Sequence, residues 1–126
     1  MDYSATRAYL LTRPEAVEEF PFGPGVAVFK IVGKMFATLG ESKGIASTNL
    51  KCDPQEAQML RDIFESVVPG YHMNKQHWNT VILDGTVPEF EINRMIDRSY
   101  GLVVKKLKKA ERTALEIRCG SEALYR

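Results

Sequence analysis

Cysteine, histidine and tryptophan are scarce in this chain: its 126 residues include two cysteines, two histidines and one tryptophan. Cys52 and Cys119 stand far apart, and neither has a second cysteine or a histidine at metal-ligand spacing. That excludes a disulfide framework or a zinc-finger type of site, and a reducing compartment leaves both as thiols. Net charge is nearly absent as well, with 17 Lys and Arg against 16 Asp and Glu, so no strong global field gathers nucleic acid or anionic lipid. No apolar run approaches the roughly 18 residues of a spanning helix. The opening MDYSATRAYLL is acidic and polar where a secretory signal needs a basic start and an apolar stretch. A cytoplasmic protein with no membrane partner is expected. Internal repeats, low-complexity tracts and linkers are also missing, and the six prolines are spread as punctuation.

What is present fits one domain over residues 1–126, with 44% hydrophobic and 26% charged residues. TRAYLLTRP reads as a short helix turning Ala8, Leu10 and Leu11 inward and stopped by Pro14. After the turn-rich FPFGPG, residues 26–32 are β-branched and aromatic enough for a strand, followed by a tight hairpin turn at Gly33-Lys34. A second strand to Leu39 and a third over 45–51, separated by the 40–44 loop, complete an antiparallel meander. Asp53, Pro54 and Glu56 supply an N-cap, a first-turn proline and a capping-box acid. Ala57, Leu60, Phe64 and Val67 then give the helix they start one buried stripe, ended by Pro69-Gly70. Thr80 to Leu83 reads as a short strand closed by Asp84-Gly85. Beyond Pro88, apolar residues from Ile92 to Leu107 keep the clearest helical rhythm in the chain. Residues 111–118 add one more helix before a frayed tail. The fold class expected is α+β, a small antiparallel sheet with helices packed mainly on one face.

The densest chemistry lies in PGYHMNKQHWNTVILDG, residues 69–85. His72 and His77 have no third ligand before Asp84, so neither metal nor other cofactor is expected. Thr80 lies near His77 but in a strand among apolar neighbours, and no nucleophile with a base and an orienting group is evident, so no catalytic residue is expected. GPG at 23–25 precedes a strand, not the helix N-terminus that a phosphate loop requires. Trp78, Asn79, Thr80, Asp84 and Gly85 read as structural, with Trp78 a core anchor. His72, Asn74, Lys75 and His77 place donors beside an aromatic, which suits phosphate and base contacts. Lys30, Lys34, Lys43 and Lys51 share the sheet and its turns, and a hairpin tip bearing lysine can meet a phosphate backbone. The run Lys105-Lys106-Leu107-Lys108-Lys109 is either a solvated helix end complementing the macrodipole or part of such a patch.

Four segments carry a resemblance: FPFGPGVAVFKIVGKMFATLG at 20–40, LKCDPQEAQMLR at 50–61, PGYHMNKQHWNTVILDGTVP at 69–88 and MIDRSYGLV at 95–103. Together they resemble the MmcQ/YjbR family of small bacterial proteins. The resemblance implies a CyaY-like (frataxin-like) α+β fold and a DNA-binding role through a double wing of β-hairpins. Carried onto this chain, the implied positions are the hairpin at Gly33 and Lys34 and the block His72, Asn74, Lys75, His77, Trp78 and Asn79. The expected function is therefore a non-enzymatic DNA-binding or regulatory module using Lys30, Lys34 and the 72–77 loop, binding weakly and largely without sequence preference. The alternative is a module that binds a protein or a small ligand and has no nucleic-acid role.

Overall fold

A computed structural model describes all 126 residues. In chain order the elements are α1 (Tyr3–Leu11), β1 (Val17–Glu19), β2 (Val26–Ile31), β3 (Lys34–Ser42), β4 (Ile45–Lys51), α2 (Pro54–Ile63), β5 (Val67–Pro69), β6 (Trp78–Ile82), α3 (Glu89–Lys105), α4 (Lys109–Cys119) and α5 (Ser121–Leu124). The strands form one six-stranded sheet in the order β1-β2-β3-β4-β6-β5, and every neighbouring pair is antiparallel. No helix is long and apolar enough to cross a membrane.

Local chemistry explains most element ends. Asp2 caps α1 by accepting from Ala5 N at 2.8 Å, and Asp53 caps α2 by accepting from Gln55 N at 3.0 Å. Both hairpins of the meander turn through two left-handed residues, Val32-Gly33 (φ 48° and 75°) and Lys43-Gly44 (φ 55° and 78°). This mirror-image turn matches strand twist. The first turn therefore sits one residue earlier than expected, and Lys34 opens β3. The second is shorter than the expected five-residue loop, so β3 continues to Ser42.

Three further expectations are corrected. Thr6 and Leu10 make the inward face of α1, one helical turn apart, while Ala8 and Leu11 point outward. The helix at 54 stops at Ile63 because Phe64 takes extended backbone. Val67 then pairs with Val81 as part of β5, since β-branched Val67-Val68 gains more from the sheet than from a further helical turn. The tail is not frayed: α5 forms and Leu124 is 1% exposed.

The alternation of side chains in the strands separates two faces. Ala27, Phe29, Ala37, Leu39, Leu50 and Val81 join α1, α2 and α3 in a 25-residue apolar cluster. A β-bulge falls where Phe29 pairs with Ala37 but Lys30 pairs with Met35, leaving Phe36 as the extra residue. Ser99 of α3 fills the gap in bonding there, donating to Phe36 O at 2.5 Å and accepting from Lys51 N at 2.8 Å. The opposite face carries the cross-strand row Val28, Thr38, Asn49, Thr80, Val68. Asn49 links its neighbours on both sides, donating to Thr38 Oγ1 at 2.9 Å and accepting from Thr80 Oγ1. Val28 and Trp78 are buried yet stand outside the main cluster, as their place on this second face requires.

Candidate functional site

One end of the sheet collects the ends of β2 and β4 and the starts of β3 and β6. Lys30 pairs with Met35 across the first hairpin, and Lys51 pairs with Trp78 where β4 meets β6. Residues 70–77 lead into β6 at this end, tied to β4 by a hydrogen bond from Cys52 N to His77 O at 2.7 Å. Lys30 and the 70–77 loop are thus separated by three strand spacings, about 14 Å.

The loop is held by bonds of its own. Asn74 Oδ1 accepts from Gln76 N at 3.0 Å, and Asn74 O accepts from His77 N and Trp78 N at 3.1 and 2.9 Å, a side-chain turn closed by backbone bonds. Gly70 donates to Trp78 O at 2.9 Å, and a Cβ at Gly70 would lie 3.0 Å from Trp78 Cβ. Only glycine lets these two backbones approach so closely. From α2, Arg61 donates through Nε to Asn79 Oδ1 at 2.7 Å and through a terminal nitrogen to Lys75 O. Asn79 Nδ2 in turn donates to Ala57 O at 3.3 Å. Tyr71, His72, Asn74, Lys75 and Gln76 are exposed on this scaffold, His77 is half-buried, and Trp78 is 9% exposed. Lys75 Nζ lies 5.3 Å from the centroid of the Tyr71 ring.

Beyond the strand, Asp84 closes the next turn. Its carboxylate accepts from Ser66 Oγ at 2.6 Å, Thr86 Oγ1 at 2.6 Å and Thr86 N at 3.0 Å, and Gly85 follows at φ +86°. These bonds, that from Ser66 first, hold the Asp84 carboxyl down at about 2.

Charge is unevenly compensated at the sheet end. Lys30 is paired with Glu19 at 2.9 Å. Lys34, Lys51, Lys75 and Lys106 have no carboxylate within 4 Å. Burial, and then the neighbouring Lys106 ammonium, lowers the Lys51 pKa. Two ammonium groups in that relation favour an arriving anion. Lys51 and Lys106 therefore belong with Lys34 and Lys75, although spacing along the chain does not bring them together. Strand alternation gives the one sequence signal for Lys51, which must face away from buried Leu50. Lys43 is at the other end of the sheet, in the β3–β4 turn. No three His, Cys, Asp or Glu side chains gather as a metal-ligand set. Cys52 is buried beside Asp53, and burial pushes its thiol up to about 11.

Comparison with known proteins agrees with this architecture. The YjbR family model matches residues 11–102. The chain is 42% identical over 92 residues to the uncharacterized protein YbdF of Escherichia coli O157:H7, covering 73% of this chain and 75% of that one. It is 31% identical over 115 residues to YjbR of Escherichia coli K12, covering 91% and 98%. Among solved structures, the Deinococcus radiodurans protein DR2400, of family-model domain DUF419, superposes with a TM-score of 0.82 at 38% identity, covering 90% of this chain and 87% of that one. A Pseudomonas syringae protein superposes with a TM-score of 0.71 at 28% identity, covering 81% and 98%. The match over residues 11–102 takes in the whole sheet and nearly all of the α3 helix that backs it, and the chain belongs to the YjbR family.

Proposed function

We propose that this protein is a non-enzymatic, cytoplasmic DNA-binding module that meets the phosphate backbone with the lysine-bearing end of its sheet. The feature that carries the reading is that Lys34, Lys51 and Lys75, from three separate segments, fall at one end of the sheet, with Lys106 near enough to Lys51 to lower its pKa, and that none of the four has a carboxylate partner. We read the sheet as CyaY-like (frataxin-like), with the Val32-Gly33 hairpin and the 70–77 loop as its two projecting wings. His72 adds an exposed donor beside Lys75. Asn74 and His77 serve mainly to shape the loop, and Lys30, already paired with Glu19, contributes least. With the near-neutral total charge, about four phosphate contacts give weak binding with little sequence preference.

Fluorescence anisotropy with duplex and single-stranded oligonucleotides tests this directly. Duplex binding should fall with salt at a log–log slope of about −4, and Lys34→Glu or Lys75→Glu should weaken it and flatten the slope by about one unit each. Absence of salt-sensitive binding to either form would reject the reading. The protein-interaction alternative has its own support in two exposed aromatics, Phe22 at 77% and Tyr71 at 63%. A pull-down retained by the Lys→Glu variants and lost in Phe22→Ser would favour it.

A further inference from the structure

The end of the sheet away from the lysines has a different character. Strand β6 runs from Trp78, opposite Lys51, to Ile82, opposite Ser47, so the residues after Ile82 and those just before β5 gather at this second end. Two clefts meet there. One, of about 470 Å³, runs between α2 and α3, lined by Met59, Ile63 and Phe64 from α2 and its C-cap and by Glu91 and Arg94 from α3. The other, of about 430 Å³, lies between the end of α2 and the end of β6, where Ile63 and Phe64 join Ile82.

The shared wall is apolar and open to solvent. Ala57 and Leu60 form the buried stripe of α2, leaving Met59 and Ile63, 59% and 63% exposed, as a second stripe on its outer side, one helical turn apart. Phe64 and Ile82 beside them are only half-buried. An apolar stripe at four-residue spacing, next to a second helix, is the geometry that a third helix fills by laying its own apolar face into the groove.

Charge selects the partner. Residues 62–69 and 82–93 contain Asp62, Glu65, Asp84, Glu89 and Glu91 but no lysine, arginine or histidine. Asp62, Glu65, Asp84 and Glu89 are exposed and have no cation within 4 Å. The arginines of the α2–α3 groove are already matched, Arg94 to Glu56 at 3.2 Å and Glu91 at 3.0 Å, and Arg98 to Glu56 at 3.5 Å. An apolar groove edged by unmatched carboxylates favours a cationic partner and repels a nucleic acid. We infer that this end docks a basic amphipathic helix of a protein partner, with its apolar side chains over Met59, Ile63 and Phe64 and its lysines or arginines beside Asp62, Glu65 and Glu89. The inference does not depend on DNA binding at the opposite end.

The test is an amide NMR titration of the full chain with three synthetic peptides of about 18 residues. The first is built of leucine and lysine with the leucines on one helical face, the second has the same residues in scrambled order, and the third is the first with glutamate in place of lysine. The first should give saturating shifts confined to residues near 59–66 and 82–93, about tenfold tighter than the scrambled peptide, and the glutamate peptide should give none. Met59→Ser with Ile63→Ser, both at exposed positions, should weaken binding about tenfold while leaving urea stability and oligonucleotide binding unchanged, so failure here and failure of the DNA reading are separable. Glu65→Lys with Glu89→Lys should weaken it by a similar factor and reduce its salt dependence. Shifts that the scrambled peptide matches, that survive both double variants, or that fall elsewhere would overturn the inference. So would a concentration-dependent dimer in sedimentation that Met59→Ser with Ile63→Ser dissociates, which would give the surface to a second copy.

Discussion

Asp84 shows how much one side chain can settle locally. Three hydrogen bonds hold its carboxyl near 2, against an ordinary value of 3.8. A carboxyl depressed in the folded state adds stability at pH values above its unfolded value, and that contribution is lost as pH falls from about 4 to about 2. Denaturant midpoints should therefore fall more steeply over this interval in the native protein than in Asp84→Asn, and an NMR titration should place the Asp84 midpoint near 2. A midpoint near 4 would contradict the bonding. Asp84-Gly85 was readable as a turn because an acidic acceptor followed by glycine acts within three residues. Arg61 was not readable: its partners Asn79 and Lys75 lie 18 and 14 positions away, brought near only when α2 docks beside β6.

Among the elements, α3 couples the helical layer to the lysine-bearing end through Ser99. That hydroxyl, fully buried, satisfies Phe36 O in the bulge and Lys51 N at the end of β4. Ser99→Ala strands one buried acceptor and one donor, and at about 1–3 kcal/mol per unpaired group the loss in urea-measured stability should be about 2–6 kcal/mol. Ser99→Thr keeps the hydroxyl and should recover part of it. The strands β2 and β4 and the helix α3 were legible because their periodicity is long and unbroken. β1 and β5 were not, since three residues carry no period, and Val67 fitted the preceding helical stripe as well as it fits a strand.

For the molecule as a whole, the C-terminal turn closes the core. Leu124 packs fully buried beside α3, so Leu124→Ala should lower stability by about 2–5 kcal/mol in denaturant titrations. A frayed tail would leave that variant indistinguishable from the native protein. The α+β class could be inferred from the order of elements, but the gathering of Lys34, Lys51 and Lys75 at one end of the sheet could not. It depends on β6 slipping in beside β4 while β5 takes the outer place, a choice that no local pattern encodes. That arrangement also tapers the sheet, from nine residues in β3 to three in each outermost strand. A foreign strand laid along either margin would find room for roughly two backbone hydrogen bonds. One margin ends in Pro69, which has no N–H to give, and the other carries Glu18 and Glu19. Fibril growth by templating needs about six residues in register, so the short outer strands of this sheet block polymerisation by their outline.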